Sequence, residues 1–222
     1  PGNGGHNGFP STRNAEPEWK VAKKEKDGIF QLSAEGKFYK VERRIIRHDY
    51  FIEVLDTLEN LTDKPEGVIV QYEIPFQWSV DRGNSIYLSG LKILERIVTM
   101  RYFPENPTVF IQDPSGSIGM TPFDDVFRIH CMSYAVNDSI QLRDSQLVLG
   151  PKKKYTLCLQ LFPVAKGDYW DFINHLRHAW NLNGVTVSGE YGVLLSPVSP
   201  GRKIRPSIKS IHVPNKDRKS VV

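Results

Sequence analysis

The chain is short of the features from which chemistry is usually read. It has two cysteines, Cys131 and Cys158, and no Cys-x-x-Cys or His-x-x-x-His spacing, so no metal centre is expected. His175 and His178 lie three apart, but together with Asp168 and Asp171 they are explained as the polar side of one helix. The densest glycine run, Gly2, Gly4, Gly5 and Gly8, has no strand before it and cannot present a phosphate loop ahead of a helix. No apolar run approaches the roughly 18 residues that a membrane span needs. Charge of one sign is also lacking: 29 basic and 25 acidic residues give a net +4, with the signs interleaved along most of the chain. That balance is too mild for a nucleic-acid footprint. No cofactor, metal, nucleic acid or membrane is therefore expected as a partner.

What the chain has is core-forming material, with 40% hydrophobic and 11% aromatic residues, which excludes wholesale disorder. In Tyr50 to Asn60 apolar and polar residues alternate, with Ile52, Val54, Asp56 and Leu58 on one face and Phe51, Glu53, Leu55, Thr57 and Glu59 on the other. Period-two patterning of this kind predicts strands with one buried face. Further strands are expected at 29–32, 37–47, 68–74, 86–88, 93–100, 108–112, 126–135, 141–149 and 154–162. They are punctuated by Asn60 to Pro65, Arg82-Gly83-Asn84, Asp113-Pro114-Ser115-Gly116 and Gly150-Pro151. One helix breaks the texture. Asp168 is a good N-cap, and Tyr169, Phe172, Ile173, Leu176 and Trp180 form an apolar stripe that ends at Asn183-Gly184. The expected fold is mainly β, an antiparallel β-sandwich with one C-terminal amphipathic helix packed against the sandwich edge or a following domain. Cys131 and Cys158 sit in apolar strand-like runs, compatible with a buried disulfide or with two core thiols; free thiols are the expectation.

The ends read differently. Residues 1–17, rich in Gly, Pro, Asn and Ser with Phe9 as the large apolar residue, are expected to be a flexible arm. The sandwich is expected to span 18–182, and 183–216 to lead toward a downstream domain. Asp217 to Val222 has no apolar period and matches one reading frame of a common sequencing adapter, so these six residues are expected to be read-through. The lysines of 20–26 and the basic residues of 202–209 read as solvated segments.

Candidate chemistry is sparse. Asp124-Asp125 precedes a predicted strand reaching His130. Adjacent strand residues point to opposite faces, so the pair is expected to bind backbone at a strand entry. Trp78, Tyr72, Tyr87 and Tyr102 lie in or beside the irregular middle region and are the candidate sugar-binding residues, since a pyranose presents an apolar C–H face to an aromatic ring; core packing is the competing role for each.

Two segments carry a resemblance. One is Asn60-Leu61-Thr62-Asp63-Lys64-Pro65 closing an Ile-x-Val strand. The other runs from Leu149-Gly150-Pro151-Lys152-Lys153-Lys154-Tyr155-Thr156-Leu157 through Leu161-Phe162-Pro163 to Gly167-Asp168-Tyr169-Trp170-Asp171-Phe172-Ile173-Asn174. Over residues 28–182 the chain resembles the galactose-mutarotase-like sandwich domain of glycoside-hydrolase-like proteins; Gly116 to His130 fits the same pattern. The resemblance implies an accessory domain with no catalytic residue of its own, supporting or extending a carbohydrate site of a downstream catalytic domain in the same chain. Mutarotase-like folds are also enzymes, and the alternative it implies is an aldose epimerase-type site centred on His130 with Glu73. A structural or interaction domain without sugar contact is the third reading.

Overall fold

A computed structural model describes residues 7–9, 15–26, 28–76, 83–93, 99–102, 104–136, 138–165 and 167–182. The chain divides into two units, Pro1–Asn183 and Gly184–Val222; the second lies outside the described residues, as do the expected helix stop at Asn183-Gly184, the 183–216 connection and the last six residues. The described elements are β1 (Lys20–Lys26), β2 (Ile29–Glu35), β3 (Tyr39–Arg47), β4 (Ile52–Asn60), β5 (Glu66–Pro75), β6 (Ser85–Leu88), β7 (Leu91–Ile93), β8 (Thr99–Tyr102), β9 (Val109–Gln112), β10 (Ser117–Pro122), α1 (Asp125–His130), β11 (Met132–Val136), β12 (Ser139–Leu149), β13 (Lys154–Val164) and α2 (Tyr169–Ala179). They form an antiparallel sandwich. A nine-stranded sheet runs β1-β2-β3-β4-β13-β10-β9-β6-β7, and a four-stranded sheet runs β5-β12-β11-β8.

The alternation read from the sequence sets the two faces of the large sheet. On β4 the positions Val54, Asp56, Leu58 and Asn60 are all buried and face the small sheet. The main core lies between the sheets and includes Leu88, Val109, Ile111, Met120, Leu157 and Leu159 from the large sheet and Tyr72, Ile140 and Leu142 from the small one. Two polar groups buried in this layer are fully engaged, as burial requires. Arg43 grips Asp56 with two hydrogen bonds of 2.7 Å, and the Tyr72 hydroxyl donates to the same carboxylate at 2.7 Å. The Asn60 amide, 0% exposed, donates to the carbonyls of Lys64, Leu149 and Gly150 and accepts from the Thr62 N–H. It thereby joins the two turn segments that carry the family resemblance.

Three sequence expectations change. Residues 126–135 are not one strand: Asp124 caps α1 by accepting from the Phe127 N–H at 2.9 Å, and β11 begins only at Met132. The Asp124 side chain also accepts from the Tyr155 hydroxyl and the Cys158 N–H, so the backbone-binding role holds at a helix start, not a strand entry. The lysine-rich 20–26 is β1, the edge strand of the large sheet, where lysines discourage pairing with another chain. Finally, α2 covers the outer face of the large sheet, not its edge. Phe172 stacks on Phe110 at 5.3 Å and meets Phe162 edge-on at 5.6 Å. Gly119, between those two rings in register, leaves the space; a Cβ there would stand 2.5 Å from Phe172. Of residues 1–17, Asn7 and Phe9 touch the sheet: Asn7 donates to Glu16 and the Tyr39 hydroxyl, and Phe9 lies 4.7 Å from the Arg43 guanidinium.

Candidate functional site

Outward positions of β4, β13 and β10 build a shelf on the sheet face that α2 leaves partly open. Register places Glu53 opposite Gln160 and Gln160 opposite Thr121, all on the side of Phe162. Glu53 is held from two directions: His48 Nε2 lies 3.5 Å from its Oε2, and the Cys158 thiol donates to Oε1 at 3.6 Å. Burial, then the neighbouring Glu53 carboxylate, pushes that thiol from 9.0 up to about 12, so it stays protonated and serves as a donor, not a nucleophile.

The end of α2 forms one wall. A capping box fixes the helix start: Asp168 accepts from the Trp170 and Asp171 N–H groups, and Asp171 accepts from the Asp168 N–H. Tyr169, Phe172 and Leu176 seat the helix on the sheet, so its last turn arrives at a defined place. There Trp180 donates its indole N–H to the buried Gln160 at 2.7 Å. Phe123, 44% exposed, tilts against the Trp180 ring at 5.6 Å, and Arg128 of α1 lies 5.4 Å from it. Tyr50, 42% exposed, packs on His178 at 4.4 Å. A partly exposed carboxylate and half-exposed aromatic rings thus share one surface, with the buried Gln160 carboxamide beneath it.

Of the residues singled out from the sequence, Tyr72 and Tyr87 lie elsewhere. Tyr72 is a core residue, 6% exposed, with its hydroxyl spent on Asp56; burial raises its pKa well above 10.0. Tyr87 is stacked beneath Tyr169 at 4.8 Å, so one ring face is taken by α2. Tyr102 belongs to β8, with its side chain outside the described residues, and Trp78 is outside them altogether. The proposed pairing of His130 with Glu73 does not form. His130 ends α1, not a strand, and its Nδ1 lies 3.4 Å from the fully buried Asp144 on the core side of β12. Glu73 follows the inward Tyr72 on β5 and is exposed on the opposite face. Cys131 and Cys158 are free buried thiols; Cys131 belongs to the core between the sheets and Cys158 to the outer shelf. Among the described residues no group of three or more His, Cys, Asp or Glu is arranged to hold a metal ion, and no helix is long and apolar enough to cross a membrane.

Sandwich and shelf define a mainly antiparallel β protein with one helix-walled face. No protein-family model and no curated protein matches the chain. Among solved structures it is similar to galactose-mutarotase-like folds. A candidate aldose 1-epimerase from Escherichia coli K12 matches at 12% identity and a TM-score of 0.46, over 66% of this chain and 68% of that one. A galactose mutarotase-like protein from Lactobacillus casei matches at 10% identity and a TM-score of 0.44, over 65% and 73%. The galactosidase domain of an α-galactosidase–sucrose kinase matches at 10% identity and a TM-score of 0.43, over 67% and 27%. None of these likenesses assigns a residue of the shelf.

Proposed function

We propose that this chain is a non-catalytic carbohydrate-binding sandwich domain that supports or extends the sugar site of a downstream catalytic domain. The observation that carries the reading is the shelf: Trp180, at the C-cap of α2, is anchored to Gln160 of β13 and flanked by the half-exposed Phe123 between β10 and α1, and Glu53 of β4 stands opposite Gln160 in register. Aromatic rings take the C–H face of a pyranose and the partly exposed Glu53 carboxylate accepts from its hydroxyls, while the buried Gln160 holds Trp180 in place. Rigid elements hold these groups in place before the ligand arrives, which limits the ordering cost of binding. Trp78 and Tyr102 belong to the proposal as further sugar contacts.

Titration calorimetry of the intact chain against galactose, glucose, mannose and their oligomers tests the reading. Binding by at least one sugar, weakened at least about tenfold in Trp180→Ala, is expected. A panel without heat, or affinity indifferent to that substitution, overturns it. A second reading is favoured by the Glu53–His48 contact, which sets a base beside an acid: an aldose epimerase needs one group to take the anomeric hydroxyl proton and another to protonate the ring oxygen. Polarimetry of fresh α-anomers decides it, because no acceleration over buffer removes the enzyme reading.

A further inference from the structure

Beside the shelf runs an open groove of about 560 Å³ lined by Pro104, Glu105 and Pro107 on one side and by Asp125, Arg128 and Ile129 of α1 on the other. Asp125, Arg128 and Ile129 fall at i, i+3 and i+4, so they share one helical face, while Phe127 turns the other way into the core. Among the described residues that face is left open: Ile129 is 69% exposed. The volume lies in the range of small-molecule sites, which is more than one hexose ring requires. Arg128 belongs to both places, lining the groove and standing 5.4 Å from the Trp180 ring. One side chain therefore borders both shelf and groove. The groove carries two carboxylates and one guanidinium, a charge set suited to a neutral, hydroxyl-rich occupant and unsuited to an anionic one. Its two prolines and Ile129 supply apolar contact for sugar C–H faces.

We propose that the groove is the continuation of the sugar site, so that the ligand is a neutral oligosaccharide of several units, crossing Arg128 from the Trp180 shelf into the channel between α1 and residues 104–107. The proposal rests on the sugar-binding reading of the shelf and adds to it a chain-length and charge preference.

The test compares monosaccharides with neutral trisaccharides (maltotriose, cellotriose, galactotriose) and with trigalacturonate by calorimetry, on the intact chain and on Ile129→Arg. That substitution fills the groove from an exposed helix position, where an added cation suits the helix C-terminus. Circular dichroism and the urea midpoint confirm that the variant folds. For the sugar that binds the shelf, the neutral trisaccharide is expected to bind at least about tenfold more tightly than the monosaccharide, with no such gain for trigalacturonate. Ile129→Arg should abolish the gain and leave monosaccharide affinity unchanged. Equal affinity for one and three units, or a gain that survives Ile129→Arg, overturns the groove while monosaccharide binding sensitive to Trp180→Ala keeps the shelf. Absence of binding at every length overturns both.

Discussion

The two faces of the nine-stranded sheet are built from neighbouring residues and have opposite characters. Along β4, Val54, Asp56, Leu58 and Asn60 turn inward and are 0–5% exposed, while Glu53, just before Val54, turns outward and keeps part of its carboxylate side chain in solvent. Polar groups occur on both faces. On the inner face Asp56 and Asn60 spend their hydrogen bonds within the chain, on Arg43, Tyr72 and the turn backbones. On the outer face Gln160 steadies Trp180, but Glu53, Phe123 and Tyr50 still offer surface. Polar groups on both faces thus find partners within the chain, and what separates the faces is exposure: Asp56 and Asn60 are sealed, while Glu53, Phe123 and Tyr50 keep part of their surface in solvent.

The comparison can be broken hardest from the inside. Asp56→Ala leaves the Arg43 guanidinium unpaired among Phe9 and Tyr72 and strands the Tyr72 hydroxyl. A loss of about 3 kcal/mol is expected in urea unfolding, discounted from a fully buried pair because the Arg43 side chain is 24% exposed. A midpoint shift no larger than that of an exposed carboxylate such as Glu25 would show that the inner network is not structural. On the outer face, Gly119→Ala pushes a methyl into the Phe172 ring. A cost of about 1–2 kcal/mol is expected, together with weaker sugar binding, because Trp180 is positioned by the same helix. Unchanged affinity with reduced stability would uncouple the helix from the shelf.

A pH series reads both faces at once. Burial raises the thiols of Cys131 and Cys158 to about 12 from 9.0. Their folded pKa exceeds the unfolded value, so the stability they contribute is full below pH 9 and is lost as pH rises from 9 through 12. Urea midpoints should be flat up to about pH 9 and decline above it. Cys→Ser at both positions should reduce the decline, leaving the part contributed by Tyr72, whose pKa burial raises in the same direction.

Much of the sandwich was legible because period-two alternation is a direct record of which face is buried, and the capped helix at Asp168 was legible from its stripe. The failures have physical causes. β1 was hidden because an edge strand is free to be charged, and all but Val21 of it is exposed. α1 was hidden because Val126 to Ile129 suits a strand as well as a helix, and the Asp124 cap decided between them. The candidate site was scarcely legible. Ring type alone nominated Tyr72 and Tyr87, but one is sealed by the core and the other lies under α2. Glu53 looked isolated because His48 and Cys158 reach it only through the β3–β4 turn and the β4–β13 pairing. One signal was present: Cys158 and Gln160 alternate with Leu157, Leu159 and Leu161, which places polar side chains at the outward positions of β13.

The claim that the outer face binds and the inner face only supports is tested most directly by the indole N–H resonances of the four tryptophans in a ¹H–¹⁵N spectrum during titration with maltotriose, cellotriose or galactotriose. The Trp180 signal, whose proton is bonded to Gln160, should move in proportion to occupancy while the buried Trp19 stays in place. A Trp180 resonance that remains fixed while another indole moves, or four that remain fixed with every sugar, would contradict the account.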